Sequence, residues 1–100
     1  MCGIVAYVGN KPAQSLLLEG LKRLEYRGYD SAGVAAIDPN GLRIERSKGR
    51  ISVLEDKLQQ NGNLAGTIGI AHTRWATHGS PTENNAHPHK DAAGRIAVVL

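Results

Sequence analysis

The spacing of apolar residues changes along the chain and predicts strand, helix, strand, strand, helix, strand, a long loop and a last strand. The predicted strands are residues 3–8, 33–37, 42–47, 67–71 and 95–100. The first predicted helix covers about residues 12–26, and a shorter one begins near residue 51. Because hairpins and helices occur without a regular βαβ series, the pattern indicates an α+β sandwich.

Cap and turn residues set the expected boundaries of these elements. Asn10 is expected to cap the first helix, and Gly28 is a plausible stop for it. Asp38-Pro39-Asn40-Gly41 predicts a tight turn between two strands. Ser52 and Glu55 have the spacing of a capping box at the start of the second helix.

Composition narrows the functional classes. The 100 residues carry a net charge of +3 with scattered basic residues and only four aromatics, which argues against nucleic-acid binding. They are enough for one small domain, and no apolar stretch approaches the ~20 residues of a membrane span. No signal peptide is recognisable. A single cysteine provides no disulfide framework and suits a reducing cytoplasm.

That cysteine is Cys2, directly after Met1. Removal of the methionine would give Cys2 a free α-amino group beside its thiol. The amine can then act as general base for the thiol, without a separate catalytic histidine. The apolar run after Gly3 would hold the thiol at the end of a buried strand. The alternative is that a cysteine at this position is chance.

Residues 72–91 are polar, and we predict them to be an irregular, functional loop. Its Arg74 can bind a carboxylate through two parallel hydrogen bonds. Thr77 and His78 can complete a small polar pocket, and Trp75 can exclude water from it. This pattern favours an amino-acid substrate. The alternative is a surface loop with Arg74 in a structural ion pair.

Four histidines, at positions 72, 78, 87 and 89, raise the question of a metal. None of their spacings matches a zinc finger or His-Glu-x-x-His. His87 and His89 are expected to point apart in an extended segment, so we predict no metal and assign these rings to hydrogen bonds that order the loop. Arg27 and Asp30 are interpreted as a structural ion pair between helix and strand, with a direct catalytic role as the less favoured alternative. No nucleotide-binding glycine motif occurs.

Four stretches together resemble one family. They are Met1-Cys2-Gly3-Ile4-Val5, Leu24-Glu25-Tyr26-Arg27-Gly28-Tyr29-Asp30-Ser31-Ala32-Gly33, His72-Thr73-Arg74-Trp75-Ala76-Thr77-His78-Gly79 and Asn85-Ala86-His87-Pro88-His89. In this order they resemble the N-terminal glutaminase domain of the glutamine–fructose-6-phosphate aminotransferases (isomerizing), also called glucosamine-6-phosphate synthases. The resemblance implies a class II glutamine amidotransferase with the N-terminal-nucleophile hydrolase fold, an αββα sandwich. Residues 1–100 would be the N-terminal portion of that domain, without the sugar isomerase domain.

The resemblance also implies roles. Cys2 would be the nucleophile, Arg74 would bind the glutamine α-carboxylate with Thr77 and His78, and Trp75 would gate the passage of ammonia. The ammonia would convert fructose 6-phosphate to glucosamine 6-phosphate in the absent domain. No cofactor, nucleic acid or membrane is implied, and the parent enzyme is expected to be a cytoplasmic homodimer.

Two departures from the family pattern matter. Ala6 stands where the family usually has glycine. The family continues past the last strand into His-Asn-Gly, which supplies the oxyanion hole, and to a later aspartate that binds the substrate amine, whereas this sequence ends at Leu100. Since such donors are worth about 10²–10³ in rate, we expect these 100 residues alone to release no ammonia. Because the strands 3–8 and 95–100 would lack their later partners, we also expect marginal folding. Other class II amidotransferases, such as amidophosphoribosyltransferase, and a glutamine-binding module without turnover remain the alternatives.

Overall fold

The computed structural model describes residues 2–27, 30–75 and 82–100, with Arg27 described by its main chain only. The strands are β1 (Gly3–Val8), β2 (Ser31–Asp38), β3 (Gly41–Lys48), β4 (Ile68–Arg74), β5 (His89–Lys90) and β6 (Ala97–Val98). The helices are α1 (Ala13–Leu24), followed by a 3₁₀ turn (Glu25–Arg27), and α2 (Ile51–Asn61). The α+β class predicted from the sequence is therefore confirmed.

Four of the strands form one antiparallel sheet in the order β1-β4-β2-β3. β2 and β3 form the predicted hairpin, in which the Asn40 N–H donates to the Asp38 carboxylate at 2.8 Å and Gly41 has φ 119°. That φ lies in the region that favours glycine, which explains why the turn ends there. β4 lies at the centre, between β1 at one edge and β2. The fourth strand of the sequence pattern thus lies between the first and the second.

Both helices pack on one face of this sheet. α1 buries Ala13, Leu17 and Leu21, and α2 buries Ile51, Leu54 and Leu58, each at helical spacing. The sheet contributes Ala32, Val34, Ala36 and Ala71 to the same core. Small residues on the strands leave room for the leucines above them, so the helices lie close to the sheet.

The predicted helix caps are wrong. α1 begins at Ala13 after Pro12, and α2 begins at Ile51 after Arg50, with no side-chain hydrogen bond from either capping residue. A distant residue replaces the expected capping box, because the Glu25 carboxylate accepts a hydrogen bond from the Ile51 N–H at 3.0 Å. A carboxylate at a helix N-terminus also complements the helix dipole. Gly28 lies outside the described residues, so its role as a helix stop stays a prediction.

Among the described residues, residues 86–100 cover part of the opposite face of the sheet. The predicted strand 95–100 is reduced to a pairing of Ala97 and Val98 with His89 and Lys90 in a separate two-stranded sheet. Residues 91–96 form a turn in which the Asp91 carboxylate accepts hydrogen bonds from the main-chain N–H groups of Arg95 and Ile96 at 2.8 and 2.9 Å. Ile4, Ile37 and Ile68 on this face remain about half exposed.

Candidate active site

The N-terminal end of β1 and the C-terminal end of β4 meet at one end of the sheet. Gly3 pairs with Thr73, so Cys2 lies beside Arg74 when the same register is continued by one residue. Neighbouring strands are ~4.8 Å apart, which brings the two residues close to each other. The thiol of Cys2 is free and exposed. The fold therefore brings the predicted nucleophile and the predicted carboxylate-binding residue to the same place.

Gly3 has a steric role at this end of the sheet. A Cβ on Gly3 would lie 2.7 Å from Leu24 Cδ1 and 2.9 Å from Thr73 Oγ1. Real Cβ atoms do not approach that closely, so glycine allows the end of α1 to pack directly behind Cys2. The packing of α1 thus requires glycine at position 3, next to the predicted nucleophile Cys2.

The sequence pattern placed Arg74 in a loop. In the structure, Arg74 is instead the last residue of β4. It pairs with Ser31 on β2, and its main-chain oxygen accepts a hydrogen bond from the Asp30 N–H at 2.8 Å. The Asp30 oxygen in turn accepts one from the Gly49 N–H at 2.9 Å. Arg74 therefore lies at the end of an inner strand of the sheet, and a strand positions a binding side chain more firmly than a loop does.

The remaining predicted site residues divide into two groups. Trp75 directly follows β4 and is half exposed, at the same end as Cys2. Thr77, His78 and the side chain of Arg27 lie outside the described residues, so their roles and the Arg27–Asp30 ion pair stay predictions. The Asp30 carboxylate accepts a hydrogen bond from Ser31 Oγ at 3.3 Å.

Three histidines cluster on the face of the sheet opposite the helices. The rings of His72 and His87 are stacked with centroids 4.2 Å apart, and those of His87 and His89 lie 4.3 Å apart. The expectation that His87 and His89 point apart is therefore wrong. The carbonyl oxygen of His87 lies where a Cβ of Gly33 would be, so the absence of a side chain at Gly33 seats this segment on β2.

The cluster favours neutral imidazoles. His72 is fully buried, and this burial lowers its pKa. The hydrogen bond to Leu100 raises the pKa, and the charges of Arg74 and His89 lower it further. The pKa of His87 is lowered to about 4, first by burial and then by the charges of His72, His89, Arg74 and Arg46. His72 and His87 are therefore uncharged near neutral pH, and no group of His, Cys, Asp or Glu among the described residues could hold a metal.

The segment before the histidines is fixed to β3 and α2 by charged side chains. Lys57 Nζ donates to the Arg46 oxygen at 2.6 Å and to the Glu83 carboxylate at 2.8 Å. The Arg46 guanidinium donates to the Ala86 oxygen at 3.2 Å. These contacts hold residues 83–86 against the sheet, so the His87 ring reaches His72 from a tethered segment.

From the sequence, Gly33 was not recognised as part of this site. His72 was placed in a loop, whereas it lies in β4. Ile68, Ile70, His72 and Arg74 continue the period of two, which was a signal that the strand runs beyond Ala71. A glycine inside a small apolar strand is a signal of close backbone approach. Both signals were present in the sequence and both point to the same face of the sheet.

Comparison with known proteins places these observations in a wider group. No protein-family model matches the chain. The chain is 59% identical over 99 residues to the glutamine–fructose-6-phosphate aminotransferase (isomerizing) of Gloeobacter violaceus, covering 99% of this chain and 16% of that protein. It is 65% identical over 89 residues to the enzyme of the same name from Rhizobium meliloti, covering 89% and 14%. The chain thus spans about a sixth of the length of such relatives.

A solved structure shares the fold. The glutamine phosphoribosylpyrophosphate amidotransferase of B. subtilis, in complex with ADP and GMP, matches with a TM-score of 0.69 and 27% sequence identity. The match covers 89% of this chain and 18% of that one. The predicted fold class, that of a class II glutamine amidotransferase, is confirmed by this match. In the part of the chain that the structure describes, it comprises a helical layer on a four-stranded sheet, together with the two-stranded sheet of β5 and β6.

Proposed function

Because this chain is homologous over nearly its whole length to one segment of the glutamine–fructose-6-phosphate aminotransferases, we propose that it is the nucleophile-bearing part of their glutaminase domain. The parent protein would hydrolyse glutamine and use the ammonia to convert fructose 6-phosphate to glucosamine 6-phosphate. Residues 1–100 would be the N-terminal portion of the domain, in a cytoplasmic and homodimeric parent. No helix in the described part of the chain has the length and apolar character to cross a membrane. The single observation that carries the proposal is the meeting of Cys2 and Arg74 at one end of the sheet.

The chemistry begins with removal of Met1, which frees the α-amino group of Cys2. This amine takes the thiol proton, and the sulfur attacks the side-chain amide carbon of glutamine. The C–N bond then breaks, and the amine returns the proton to the departing nitrogen. Ammonia departs, and the acyl group remains bound to the sulfur of Cys2 as a thioester. Water cleaves the thioester to give glutamate and the free thiol. The products are one glutamate and one ammonia for each glutamine and water consumed.

Substrate orientation is assigned to Arg74. Its guanidinium would bind the α-carboxylate of glutamine, with Thr77 and His78 lining the pocket and Trp75 controlling the passage of ammonia. Asp30, Arg27 and His87 are assigned supporting roles. Since Cys2 directly precedes β1 and Arg74 ends the neighbouring strand β4, one glutamine molecule can contact both, with its carboxylate at one side chain and its amide at the other.

Arg74→Ala in the parent protein should raise the KM for glutamine strongly. Truncating one member of a desolvated charge pair costs ~2–5 kcal/mol, so the increase should exceed about tenfold. The melting temperature should change little, since the hydrogen bond from the Asp30 N–H goes to the main chain of Arg74 and survives the substitution. Arg74→Lys is the matched control that keeps the charge and loses the planar fork. An unchanged KM with a large drop in melting temperature would show that Arg74 is a structural residue.

The experiment on the proposed function compares the parent protein with its Cys2→Ala variant. Ammonia release from glutamine should disappear in the variant, while conversion of fructose 6-phosphate with added ammonium should persist. Ser52→Ala, on the exposed side of α2, controls for general effects of mutation. Glutamine-dependent ammonia release in Cys2→Ala would overturn the proposal.

Two alternatives remain, and both are testable. The likeness to an amidophosphoribosyltransferase structure makes another class II amidotransferase the second candidate. Transfer of the ammonia to phosphoribosyl pyrophosphate instead of fructose 6-phosphate would identify that candidate. A glutamine-binding module without turnover is the third, and a retained Met1 in the intact mass would favour it because the α-amino group would be blocked.

A further inference from the structure

The fully buried ring of His72 links three parts of the chain. It sits on β4, two residues before Arg74 and on the same face of the strand. Its Nε2 lies 2.5 Å from the main-chain oxygen of Leu100, and its ring is stacked on His87. In the proposed parent protein this oxygen is a peptide carbonyl, which can only accept, so Nε2 carries the proton in this contact. The tautomer of His72 is thereby fixed.

The other nitrogen of the ring shows that the link is specific to the neutral form. His72 Nδ1 is buried and, among the described residues, has no hydrogen-bond partner. The same holds for Nδ1 of His87. A second proton on either ring would place an N–H without an acceptor in a buried site, which is costly. The stacked pair therefore accommodates neutral imidazoles and disfavours charged ones.

The charges that face the cluster act in the same direction. Arg74 on β4 and Arg46 on β3 are cations, and His89 on β5 lies on the other side of His87. No Asp or Glu side chain is among the groups that shift the pKa of His72 or His87. Protonation of the cluster would add a third cation beside two arginines, one of which is the proposed substrate-binding residue.

We propose that His72 is a positioning residue for the glutaminase site: its neutral, Nε2-protonated ring fastens the main chain at Leu100 and the His87–His89 segment to the strand that ends in Arg74. The proposal rests on the proposed function. His72 does not touch the substrate; it acts through Arg74 and through the segments that lie on the sheet beside Cys2. A charged or missing imidazole releases these segments and disturbs the orientation of glutamine.

The test uses the full-length parent protein and two variants of one position. His72→Gln keeps an N–H donor near the place of Nε2, and His72→Leu removes it with little change in volume. We expect His72→Leu to raise the glutamine KM several-fold, up to about tenfold, with a smaller change in kcat. His72→Gln should restore most of this loss. Equal effects of the two variants, or an unchanged KM in a folded His72→Leu, would overturn the proposal.

A second readout does not depend on activity. Hydrogen exchange of peptides covering residues 86–100, corrected for the intrinsic effect of pH, should accelerate in wild type as the pH falls from 7.5 to about 4, because the pKa of His72 lies below 6.5 and that of His87 is about 4. In His72→Gln this extra acceleration should be clearly reduced. If wild type shows none, the proposal fails, even if His72→Leu does not fold.

The two readouts also separate this proposal from the proposed function. A parent protein without Cys2-dependent ammonia release would refute the proposed function, and the exchange measurement would still decide whether His72 fastens residues 86–100. Normal ammonia release with exchange that is independent of His72 would refute the positioning role alone.

Discussion

Gly33→Ala tests whether the His87 segment is seated on β2 as described. The new Cβ would overlap the main-chain oxygen of His87 and lie 2.9 Å from Pro88 Cδ and 3.0 Å from Arg46 Cγ. The nearest atom is main chain and cannot rotate away, so the segment must shift by more than 1 Å, as ordinary C···O contacts are ~3.3 Å. The substitution therefore separates the segment from the sheet without changing any charge.

The expected cost follows from the contacts that the shift breaks. The hydrogen bond from the Arg46 guanidinium to Ala86 is worth ~1.5–3 kcal/mol as a charged donor, and the stacking of His87 on His72 adds ~0.5–1.5 kcal/mol. Gly33→Ala should thus lower the free energy of unfolding by about 2–4 kcal/mol, measured by urea denaturation of the parent protein with circular dichroism.

A double-mutant cycle makes this prediction sharper. Arg46→Met keeps the aliphatic stem and loses the charged donor, so alone it should cost about 1.5–3 kcal/mol. In the Gly33→Ala background the bond to Ala86 is already broken, and Arg46→Met should cost much less. Additive effects of the two substitutions, or a cost of Gly33→Ala below about 0.5 kcal/mol, would refute the seating of this segment.

Two further predictions concern stability. Glu25→Gln keeps an acceptor for the Ile51 N–H and loses the charge at the start of α2. The free energy of unfolding should therefore fall by about 0.5–1 kcal/mol in urea denaturation, and by less at high salt. A fall that is independent of salt would contradict the electrostatic contribution of Glu25. Acidification should also destabilise the fold. The pKa of His87 is about 4 in the folded chain against 6.5 for a free histidine, so the unfolded state binds more protons and stability falls as the pH drops from about 6.5 to about 4. At ~1.4 kcal/mol per pH unit the limit is ~3 kcal/mol, and partial exposure of the ring reduces it to ~1–2 kcal/mol. His87→Phe should flatten this pH dependence of urea denaturation, and an unchanged slope would contradict the assignment.

Periodicity predicted the existence of every large element of the fold. Leucine spacing in α1 and the turn at Asp38–Gly41 gave nearly correct boundaries, because these depend on local chemistry. The caps were wrong because distant residues accept the first hydrogen bonds of both helices. Glu25 accepts from the Ile51 N–H, 26 positions away in sequence, and the Gly66 oxygen accepts from the Ala13 N–H. Contacts at such distances leave no local pattern.

The candidate site was predictable in its residue types but not in its construction. Cys2 and Arg74 were recognised from chemistry and from resemblance, whereas their meeting at one sheet end depends on the central position of β4. His87 and His89 face each other although an extended segment would separate them. The reason is tertiary: Lys57, Arg46 and Gly33 together hold the segment on the sheet.

The most direct test of the central claim is covalent labelling of the parent protein with a diazo-ketone analogue of glutamine, followed by peptide mass mapping. The account predicts one adduct, on the sulfur of Cys2, in a peptide that begins at Cys2 because Met1 has been removed. Excess glutamine should protect against labelling. An adduct on another residue, or a labelled peptide that still carries Met1, would contradict the claim that Cys2 is the N-terminal nucleophile.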